Sequence, residues 1–399
     1  MTNHPKFFYV LITIGLVSCN LVRSGGSPAA SPIPGTSNES SSPSIAPTQA
    51  IPTPNPLIQT IESSYGGPIQ PFQDVRYTDL TSTGTNLNRS LIETLWFNES
   101  TIWPEQFRAI AQDILQRGKN PGLGVRSLHD EGITGKDVSV AIIDQNMVLD
   151  HPEFQGKIVR YHDVGTGMAA DQGSMHGPAV TSLLVGNTIG TAPDARVYYL
   201  AAPSWTQDAQ YYADALNWII DENENLPAGG KIRVVSVSAA PSGEGTPFTK
   251  NNEAWDAAYQ RAVDSGLLVL DCTANHGITG PCFLDLDDPD NVAKCTPGFP
   301  TYDNPFFTDR IYVPVSFRTT AEEYTQGVIS YQYAGIGGTS WSVPYLSGVL
   351  AMGWQLRPDL TGSQLLDLVF QSAYETSDHL KVIDLLIQDS KKDDWLNLN

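Results

Sequence analysis

The sequence predicts an α/β fold in which a mostly parallel sheet is flanked by helices in three layers. Several apolar runs lack polar alternation, which is typical of strands that are buried on both faces. Helical stretches lie between these runs, and this β–α order indicates parallel strands joined by helical connections. The chain of 399 residues is long enough for one large domain of this kind with extensions.

Each apolar run and each stretch between the runs gives one predicted element. Strands are predicted at VSVAIID (138–144), RVYYLAA (196–202), IRVVSVS (232–238), LLVLDCTA (267–274) and IYVPVS (311–316). Helices are predicted at about 177–186, 208–223, 252–265, 340–356 and 362–375. Nearer the N-terminus, NRSLIETLWF and EQFRAIAQDILQR also show helical apolar spacing, and Pro and Asn separate them.

The N-terminal residues have the features of a targeting segment followed by a tether. Lys6 precedes the apolar run FFYVLITIGLV, which is too short to span a bilayer comfortably and has the length of a secretory signal. The stretch LVSC resembles the bacterial lipobox, which implies that residues 1–18 are removed and that Cys19 is lipidated. Residues 19–57 are rich in Ser, Pro, Thr and Ala and are predicted to be extended. We therefore expect an extracytoplasmic protein anchored to the bacterial cell membrane.

The remainder of the chain divides into three parts. Residues 58–120 are interpreted either as a pro-segment that is removed or as a permanent N-terminal extension. Residues 121–389 hold the regular α/β pattern and form the predicted main domain, and residues 390–399 form a polar tail. The net charge of −20 argues against nucleic acid as a partner, because there is no cationic surface to displace counterions from phosphate. We expect a monomer.

Three polar side chains occupy positions where chemistry is expected. Asp144 ends the first predicted strand, and functional groups of parallel sheets gather at such carboxyl ends. His176 opens the apolar helix of SMHGPAVTSLLVG, and Ser340 precedes the apolar run of GGTSWSVPYLSGVLAMGW. A serine hydroxyl attacks a carbonyl only if a base takes its proton, and a carboxylate should orient that base. The three residues are therefore candidates for one catalytic site.

Both helix-opening side chains also have a purely structural interpretation. Thr339, Ser340 or Ser342 is suited to cap the N-terminus of a helix, with Pro344 in the first turn. His176 is equally suited to a core or capping position. On these residues alone both interpretations stay open.

The motifs around these residues resemble those of subtilisin-like serine peptidases. VSVAIIDQNMVLDHPEF is similar to their aspartate motif, MHGPAVTSLLVG to their histidine motif and GGTSWSVPYLSG to their serine motif. The resemblance covers roughly residues 122–374, and the order Asp, His, Ser is also that of subtilisin. It implies that Asp144 is the orienting acid, His176 the general base and Ser340 the nucleophile, within a subtilisin-like fold.

Two further stretches extend the resemblance. VLDCTANHG is similar to the family's strand that ends in an asparagine, which implies that Asn275 donates to the oxyanion together with the N–H of Ser340. Taken alone, Asn275 is an ordinary turn residue. VVSVSAAPSGEG resembles the strand that aligns the substrate backbone, with Ser238, Ala239 and Ala240 lining the cleft, although a plain sheet strand is the alternative.

The sequence departs from the family pattern at several positions. The histidine motif usually continues Gly-Thr-His, whereas residues 177–179 read Gly-Pro-Ala. The serine motif usually reads Ser-Met-Ala-Thr-Pro, whereas residues 340–344 read Ser-Trp-Ser-Val-Pro, and Gln-Asn follows the aspartate at 145–146. No catalytic atom is lost, but an altered cleft is expected. His151 also matches the family, where that residue is structural.

The cysteines after Cys19 leave their pairing open. Cys282 and Cys295 would close a short acidic loop as a disulfide, and Cys272 is interpreted as a buried thiol. The loop contains four acidic residues, Asp285, Asp287, Asp288 and Asp290. By the resemblance these are candidate ligands for a structural calcium ion, although a solvated acidic loop is favoured. No metal ion and no organic cofactor is required for the chemistry.

The resemblance implies a secreted, membrane-tethered serine endopeptidase that acts on polypeptides through an acyl-enzyme. Two alternatives remain open because a fold alone does not establish a function. One is a catalytically silent protein of the same fold that binds peptides or belongs to the cell envelope. The other is a serine hydrolase that acts on esters or another acyl donor.

Overall fold

The computed structural model describes residues 59–60, 68–82, 86–297, 310–377 and 380–385. The predicted signal segment, Cys19, the tether and the tail at 390–399 lie outside the described residues. The strands are β1 (Gln59–Thr60), β2 (Thr78–Asp79), β3 (Trp96–Asn98), β4 (Ser139–Asp144), β5 (Ile158–Asp163), β6 (Arg196–Ala201), β7 (Ile232–Val237), β8 (Leu268–Leu270), β9 (Thr279–Phe283), β10 (Thr296–Pro297), β11 (Ile311–Ser316), β12 (Arg318–Glu322), β13 (Ser330–Ala334), β14 (Tyr374–Glu375) and β15 (Lys381–Val382). The helices are α1 (Arg89–Thr94), α2 (Glu105–Arg117), α3 (Val125–Asp130), α4 (His176–Val185), α5 (Gln210–Asn225), α6 (Asn252–Asp264), α7 (Thr339–Leu356) and α8 (Gly362–Ser372).

A sheet of five parallel strands in the order β5–β6–β4–β7–β8 forms the centre of the fold. Successive side chains of a strand point to opposite faces, and the fully buried β4 therefore feeds two cores. Val140 and Ile142 pack with α4, α7 and α8, whereas Ala141 and Ile143 pack with α5 and α6. The two helical layers enclose the sheet, which confirms the predicted three-layer α/β fold.

A second sheet continues the architecture beside the first. Its order is β10–β9–β11–β15–β14, and β9, β11 and β15 run parallel. The strand predicted at 311–316 is confirmed as β11, but it pairs with β9 and β15, not with β8. Helix α7 packs against β7 of the first sheet and against β9 and β11 of the second, so it contacts both sheets.

The part of the chain before the main domain is joined to it by a strand. β3 pairs antiparallel with β13, which in turn pairs with β12. The helix predicted over NRSLIETLWF is only half right, because α1 ends at Thr94 and Trp96–Asn98 takes the extended form that this pairing requires. The helix predicted over EQFRAIAQDILQR is confirmed as α2. Residues 68–120 are called the arm below.

The arm and the main domain share a hydrophobic core and a buried cation. Phe97 of β3 packs against Tyr333 of β13 with ring centroids 5.0 Å apart. Arg318, fully buried, donates to the carbonyl oxygens of Gly118 at 3.2 Å, Pro314 at 3.3 Å and Ile189 at 3.1 Å. Burial lowers the pKa of Arg318 to about 10. A single side chain thus ties the arm to strand β11 and to the loop after α4.

The acidic loop is closed by a disulfide between Cys282 and Cys295, whose Cα atoms are 5.4 Å apart. Inside it, the carboxylates of Asp285 and Asp288 lie 3.2 and 3.0 Å from Lys294 Nζ. Among the residues that the structure describes, no group of three or more His, Cys, Asp or Glu side chains is arranged to hold a metal ion. The prediction that Cys272 is a buried thiol is wrong, because β8 ends at Leu270 and Cys272 is partly exposed beyond it.

No helix within the described ranges combines the length and apolar character needed to cross a bilayer.

Candidate active site

Asp144 and His176 form a buried hydrogen-bonded pair at the carboxyl end of the central strand. Asp144 is the last residue of β4, and its backbone carbonyl accepts the N–H of Ala202 at 2.8 Å, which extends the sheet register to this point. His176 is the first residue of α4, and its Nδ1 lies 2.7 Å from Asp144 Oδ1. An ionised carboxylate only accepts hydrogen bonds, so Nδ1 carries the proton and Nε2 of the neutral ring is left as an acceptor.

The electrostatics of the pair favour a charged imidazole. Burial alone would lower the pKa of His176, because it removes water from the imidazolium. The Asp144 carboxylate opposes this effect by its charge and its hydrogen bond, and the pKa of His176 is raised above its usual range. The pair is therefore suited to take up a proton on the imidazole and hold it there.

A close approach of backbones explains why a glycine follows the histidine. A side chain at Gly177 would place its Cβ 2.6 Å from the carbonyl oxygen of Gln145 and 2.6 Å from the hydroxyl of Tyr199. The first turn of α4 thus rests directly on the loop that follows Asp144. Ser174 Oγ accepts the N–H of Gly177 at 3.0 Å, so a capping role for His176 is wrong.

Tyr199 is a part of this site that the sequence did not single out. Its hydroxyl donates to the carbonyl of Gln145, the residue after Asp144. Burial and the nearby Asp144 charge raise the pKa of Tyr199 well above its usual value, so the hydroxyl stays a donor. Its only trace in the sequence is its position in the apolar strand RVYYLAA, which does not distinguish it from a core tyrosine.

Ser340 is the second residue of α7 and is 2% exposed. The helix is not capped by a side chain, because Gly338 occupies the N-cap and the hydroxyl of Ser342 instead bonds Thr279 Oγ1 and the Thr339 carbonyl, each at 2.6 Å. The capping interpretation of this stretch is therefore wrong. Pro344 lies inside the helix, beyond its first turn, and has no N–H to offer to the carbonyl of Ser340.

The structure forms one half of the predicted relay. Helices α4 and α7, which begin with His176 and with the turn that holds Ser340, pack against each other. The buried His176 Nε2 has no hydrogen-bond partner among the described residues, so it makes no hydrogen bond to Ser340. Hydrogen bonds between a nucleophile and its base are commonly long in the absence of substrate. Ser340 thus lies on a helix that packs against α4, and the hydrogen bond between its hydroxyl and His176 that would complete the relay is not formed.

The turn that carries Asn275 lies beside the segment after β7. Asn275 is exposed, and its Nδ2 is 3.5 Å from the point where a Cβ would stand on Gly243. Gly243 has a φ of 84°, a backbone conformation that side chains rarely adopt. The exposed amide of Asn275 therefore lies beside Gly243, in the segment that follows β7.

The three candidate substrate-binding residues differ in exposure, and two of their carbonyls already accept hydrogen bonds within the fold. Ser238 and Ala239 are each 3% exposed, and Ala240 is half-buried. The carbonyl of Ala239 accepts the N–H of Cys272 at 2.9 Å, so it is already used within the fold. The carbonyl of Ala240 accepts the hydroxyl of Thr246 at 2.7 Å, so it too is already used, and a substrate strand would have to pair with the remaining backbone groups of this segment.

His151 lies in an aromatic cluster away from the proton relay. Its ring stacks on Phe154 at 5.4 Å and meets Tyr331 edge-on at 5.2 Å, while Nε2 contacts the carbonyl of Ser330 at 3.1 Å. Burial lowers the pKa of His151, which keeps the ring neutral. These contacts are those of a structural residue.

The fold and the buried pair define a parallel α/β protein whose strand-end side chains are arranged for proton transfer. The family profile described as the Subtilase family matches residues 135–394, which is more than half of the chain, and this chain therefore belongs to the subtilase family. The subtilisin-like protease PopC of Myxococcus xanthus is 22% identical over 280 residues, covering 63% of this chain and 58% of the relative. Subtilisin E of Bacillus subtilis is 23% identical over 265 residues, covering 62% of this chain and 63% of the relative. The chain thus spans about three-fifths of the length of these relatives.

Solved structures of similar proteins include a cold adapted subtilisin-like serine proteinase, with 21% identity, a TM-score of 0.46 and coverage of 64% of this chain and 91% of that one. The prenylagaramide maturation protease PagA has 18% identity, a TM-score of 0.45 and coverage of 63% and 88%.

Proposed function

We propose that this chain is a monomeric serine endopeptidase that hydrolyses peptide bonds in polypeptide substrates. The observation that supports it most is the buried hydrogen bond of 2.7 Å between Asp144 and His176 at the carboxyl end of the central strand. Membership of the subtilase family gives the same indication. The unpartnered Nε2 of His176 supplies the acceptor that a serine nucleophile needs.

The proposed reaction passes through an acyl-enzyme. Ser340 Oγ attacks the substrate carbonyl carbon while His176 Nε2 takes the hydroxyl proton, and the Asp144 carboxylate stabilises the imidazolium. The resulting oxyanion accepts hydrogen bonds from the Ser340 N–H and from Asn275 Nδ2. The Ser340 N–H belongs to the first turn of α7, where N–H groups have no acceptor within the helix and the dipole is positive.

Breakdown of the two intermediates returns the site to its starting state. The tetrahedral intermediate expels the amine, which receives the proton from His176, and the acyl group stays on Ser340. Water then attacks the ester carbonyl, giving its proton to His176, and the carboxylic acid leaves as Oγ regains the proton. Main-chain pairing of the substrate with the segment at 238–240 would place the scissile bond by strand addition.

The experiment that tests this function measures hydrolysis of an unfolded protein and of a panel of simple esters. The proposal predicts cleavage of the protein by the wild-type enzyme and loss of that cleavage in Ser340→Ala and His176→Ala, with both variants still folded. Binding of peptides without turnover would support the silent binding protein instead. Hydrolysis of esters with no cleavage of any polypeptide would support the hydrolase with another acyl donor.

We further propose that the protein is exported and held at the bacterial membrane through lipidated Cys19. The support is the sequence alone, namely an apolar signal that ends at a lipobox-like LVSC, followed by a Ser/Pro-rich tether. Mass spectrometry of the mature N-terminal peptide should show a diacylated cysteine. Cys19→Ala should move the protein from the membrane fraction to the soluble fraction, and an unchanged distribution would contradict the anchor.

We also propose that the arm remains part of the mature enzyme and is not a removed pro-segment. The support is that β3 supplies a strand of the sheet that contains β12 and β13, and that Gly335 next to β13 has no room for a Cβ, which would lie 1.9 Å from the carbonyl oxygen of Thr94. Intact mass measurement of the active enzyme should place its N-terminus before residue 68. An active form that begins near residue 121 would contradict this.

A further inference from the structure

A second Asp–His pair, with the aspartate buried and the histidine part-buried, lies in the turn that carries Asn275. Asp271 follows β8 directly and is 2% exposed, and its Oδ2 lies 3.3 Å from Nδ1 of His276. The same oxygen accepts the indole N–H of Trp255 at 3.3 Å. The proposed reaction uses none of these three side chains, yet two of them flank Asn275.

The other oxygen of Asp271 closes the turn from inside. Oδ1 accepts the N–H of Thr273 at 3.0 Å and its hydroxyl at 2.7 Å. Thr273 Oγ1 accepts in turn the N–H of His276 at 3.0 Å, and the Thr273 carbonyl accepts the N–H of Gly277 at 3.0 Å. Asp271 therefore fixes residues on both sides of Asn275, while the Asn275 side chain itself stays exposed.

The outside of the turn is fixed by packing. The His276 ring stacks on the ring of Tyr259 with centroids 3.7 Å apart and planes 10° apart. Tyr259 and Trp255 both belong to α6, so one helix holds both the histidine and the carboxylate. Gly277 cannot carry a side chain, because its Cβ would lie 2.6 Å from the Thr273 carbonyl and 2.7 Å from Nη1 of Arg310.

From these contacts we infer that Asp271 and His276 are positioning residues for Asn275, holding its amide where the oxyanion forms. This inference rests on the proposed function, since it assigns Asn275 the role of oxyanion donor. A donor acts on the transition state only if its position is fixed beforehand. A displacement of about 1 Å is enough to cost up to about 100-fold in rate. Because Asn275 is exposed and lies on a turn, its position depends on the contacts that Asp271 and His276 make.

Two substitutions at position 276 separate the hydrogen bond from the ring contact. His276→Asn keeps an N–H donor close to the place of Nδ1 but loses the stack on Tyr259, whereas His276→Phe keeps the stack and loses the donor. The inference predicts a smaller loss of kcat for His276→Asn than for His276→Phe, because the first variant keeps the bond to Asp271 and loses only the stack. It predicts a kcat lower by about tenfold for His276→Phe, with KM changed less than about twofold. The hydrogen bond from Asn275 to the oxyanion, which the misplaced turn weakens, exists only in the transition state.

A double-mutant cycle tests whether Asp271 acts through Asn275. Asn275→Ala alone should lower kcat by about 10²–10³, a magnitude that comes from removal of one such donor in subtilisin itself. Asp271→Ala alone should lower kcat by about 10- to 100-fold. In the Asn275→Ala background, the inference predicts that Asp271→Ala has less than about a twofold further effect, because the donor it positions is absent.

Asn223→Ala is the matched control for a general loss of structure. Asn223 bonds both the N–H and the carbonyl of Ile232, the first residue of β7. This amino end of the strand lies opposite the carboxyl ends where the site is found. Its removal should lower the thermal midpoint without changing kcat at a temperature where the variant is folded. Should Asp271→Ala fail to fold, the His276 pair of variants is measured in its place within the same cycle.

The outcomes distinguish the inference from the function on which it rests. Full additivity of Asp271→Ala and Asn275→Ala, or equal kcat for His276→Phe and His276→Asn, would overturn the positioning role while Asn275 keeps its own. A wild-type kcat for Asn275→Ala would overturn the role of Asn275 and the inference together.

Discussion

At the scale of single residues, two buried carboxyl groups of the main domain differ in their hydrogen-bond partners. Asp144 accepts hydrogen bonds from His176 and from the N–H of Gln145, both on Oδ1, at 2.7 and 2.8 Å. Glu323, in contrast, follows β12 fully buried, with one oxygen bonded to the N–H of Gly327 at 3.0 Å and the carboxyl of Asp150 beside it. Burial with a second carboxyl nearby opposes a charge on Glu323.

Asp144→Asn should lower kcat by about 10⁴, the size of the loss for the corresponding change in a well-characterised Ser-His-Asp protease. The amide would present an N–H to Nδ1 and so force the proton onto Nε2, where it blocks transfer from Ser340. The variant also removes the charge that raises the pKa of His176 and leaves the burial that lowers it. The acid limb of the kcat/KM profile, where activity rises as His176 loses its proton, should therefore move to lower pH. A limb that stays in place would contradict the assignment of this pKa to the pair.

Glu323→Gln should change how stability depends on pH. Burial, aided by the neighbouring Asp150 carboxyl, raises the pKa of Glu323 from 4.5 to about 7. Between these values the folded state binds a proton that the unfolded state has lost, so this group's contribution to stability is full below about pH 4.5 and is lost as the pH rises to about 7. Denaturant unfolding across this window should show a flatter pH dependence in Glu323→Gln than in the wild type. Parallel profiles would show that Glu323 titrates normally.

At the scale of elements, the arm is held by aromatic packing as much as by strand pairing. Phe97 of β3 is 1% exposed and lies between Trp103, with ring centroids 5.1 Å apart, and Tyr333 of β13, 5.0 Å away. The first ring belongs to the arm and the second to the main domain. The strand and its side chains therefore connect two parts that the sequence presented as separate.

Phe97→Ala should lower the free energy of unfolding by about 3–5 kcal/mol, because a buried ring is lost and a cavity remains. Denaturant unfolding followed by tryptophan fluorescence measures the change. Val159→Ala on β5 serves as the control, since Val159 is 49% exposed and such a surface change should stay within about 0.5 kcal/mol. Equal effects of the two substitutions would mean that the arm does not contribute to the cooperative core.

Periodicity predicted the long elements well and the short ones poorly. The strand at 138–144 and the helix at 252–265 agree with β4 and α6 to within a residue, because a long apolar pattern shows in the sequence itself which faces are buried. β3 was assigned to a helix, since its extended form depends on pairing with a strand more than 200 residues away. Such a partner leaves no local trace in the sequence.

At the scale of the whole molecule, the described residues form three hydrophobic cores, two on the faces of the central sheet and one shared with the arm. The disulfide and the buried Arg318 are two of the links between them. The disulfide between Cys282 and Cys295 lies where the main core meets the core of the arm, next to Leu284. Its two cysteines are 13 residues apart in the sequence. A crosslink over a loop of this length restricts the unfolded chain and so stabilises the folded one.

Replacing both cysteines, in Cys282→Ser with Cys295→Ser, should lower the free energy of unfolding by about 3 kcal/mol, the loop-entropy value for about 14 residues. Wild-type protein treated with a reductant should lose a similar amount in denaturant unfolding. Cys272→Ser is the control, because Cys272 lies outside the disulfide. This substitution should not lower the free energy of unfolding by that amount. A reduced protein as stable as the oxidised one would contradict a stabilising role for this link.

The candidate site was predictable at the positions where the sequence must place chemistry at element ends. Asp144 and His176 were identified by a strand end and a helix start, and the structure brings them within hydrogen-bond distance. Asp271 and His276 were not identified, because their contacts with Trp255 and Tyr259 depend on how α6 lies against the turn. Local patterns indicate which residues carry chemistry but not which ones hold them in place.

The most direct test of the central claim is labelling with a fluorophosphonate probe, followed by mass spectrometry of the modified peptide. The probe reacts with a serine only when a neighbouring base activates it. The account predicts labelling of Ser340 in the folded wild-type protein and none in His176→Ala. No label on folded wild-type protein, or equal labelling of His176→Ala, would contradict the claim that Asp144, His176 and Ser340 act as one proton relay.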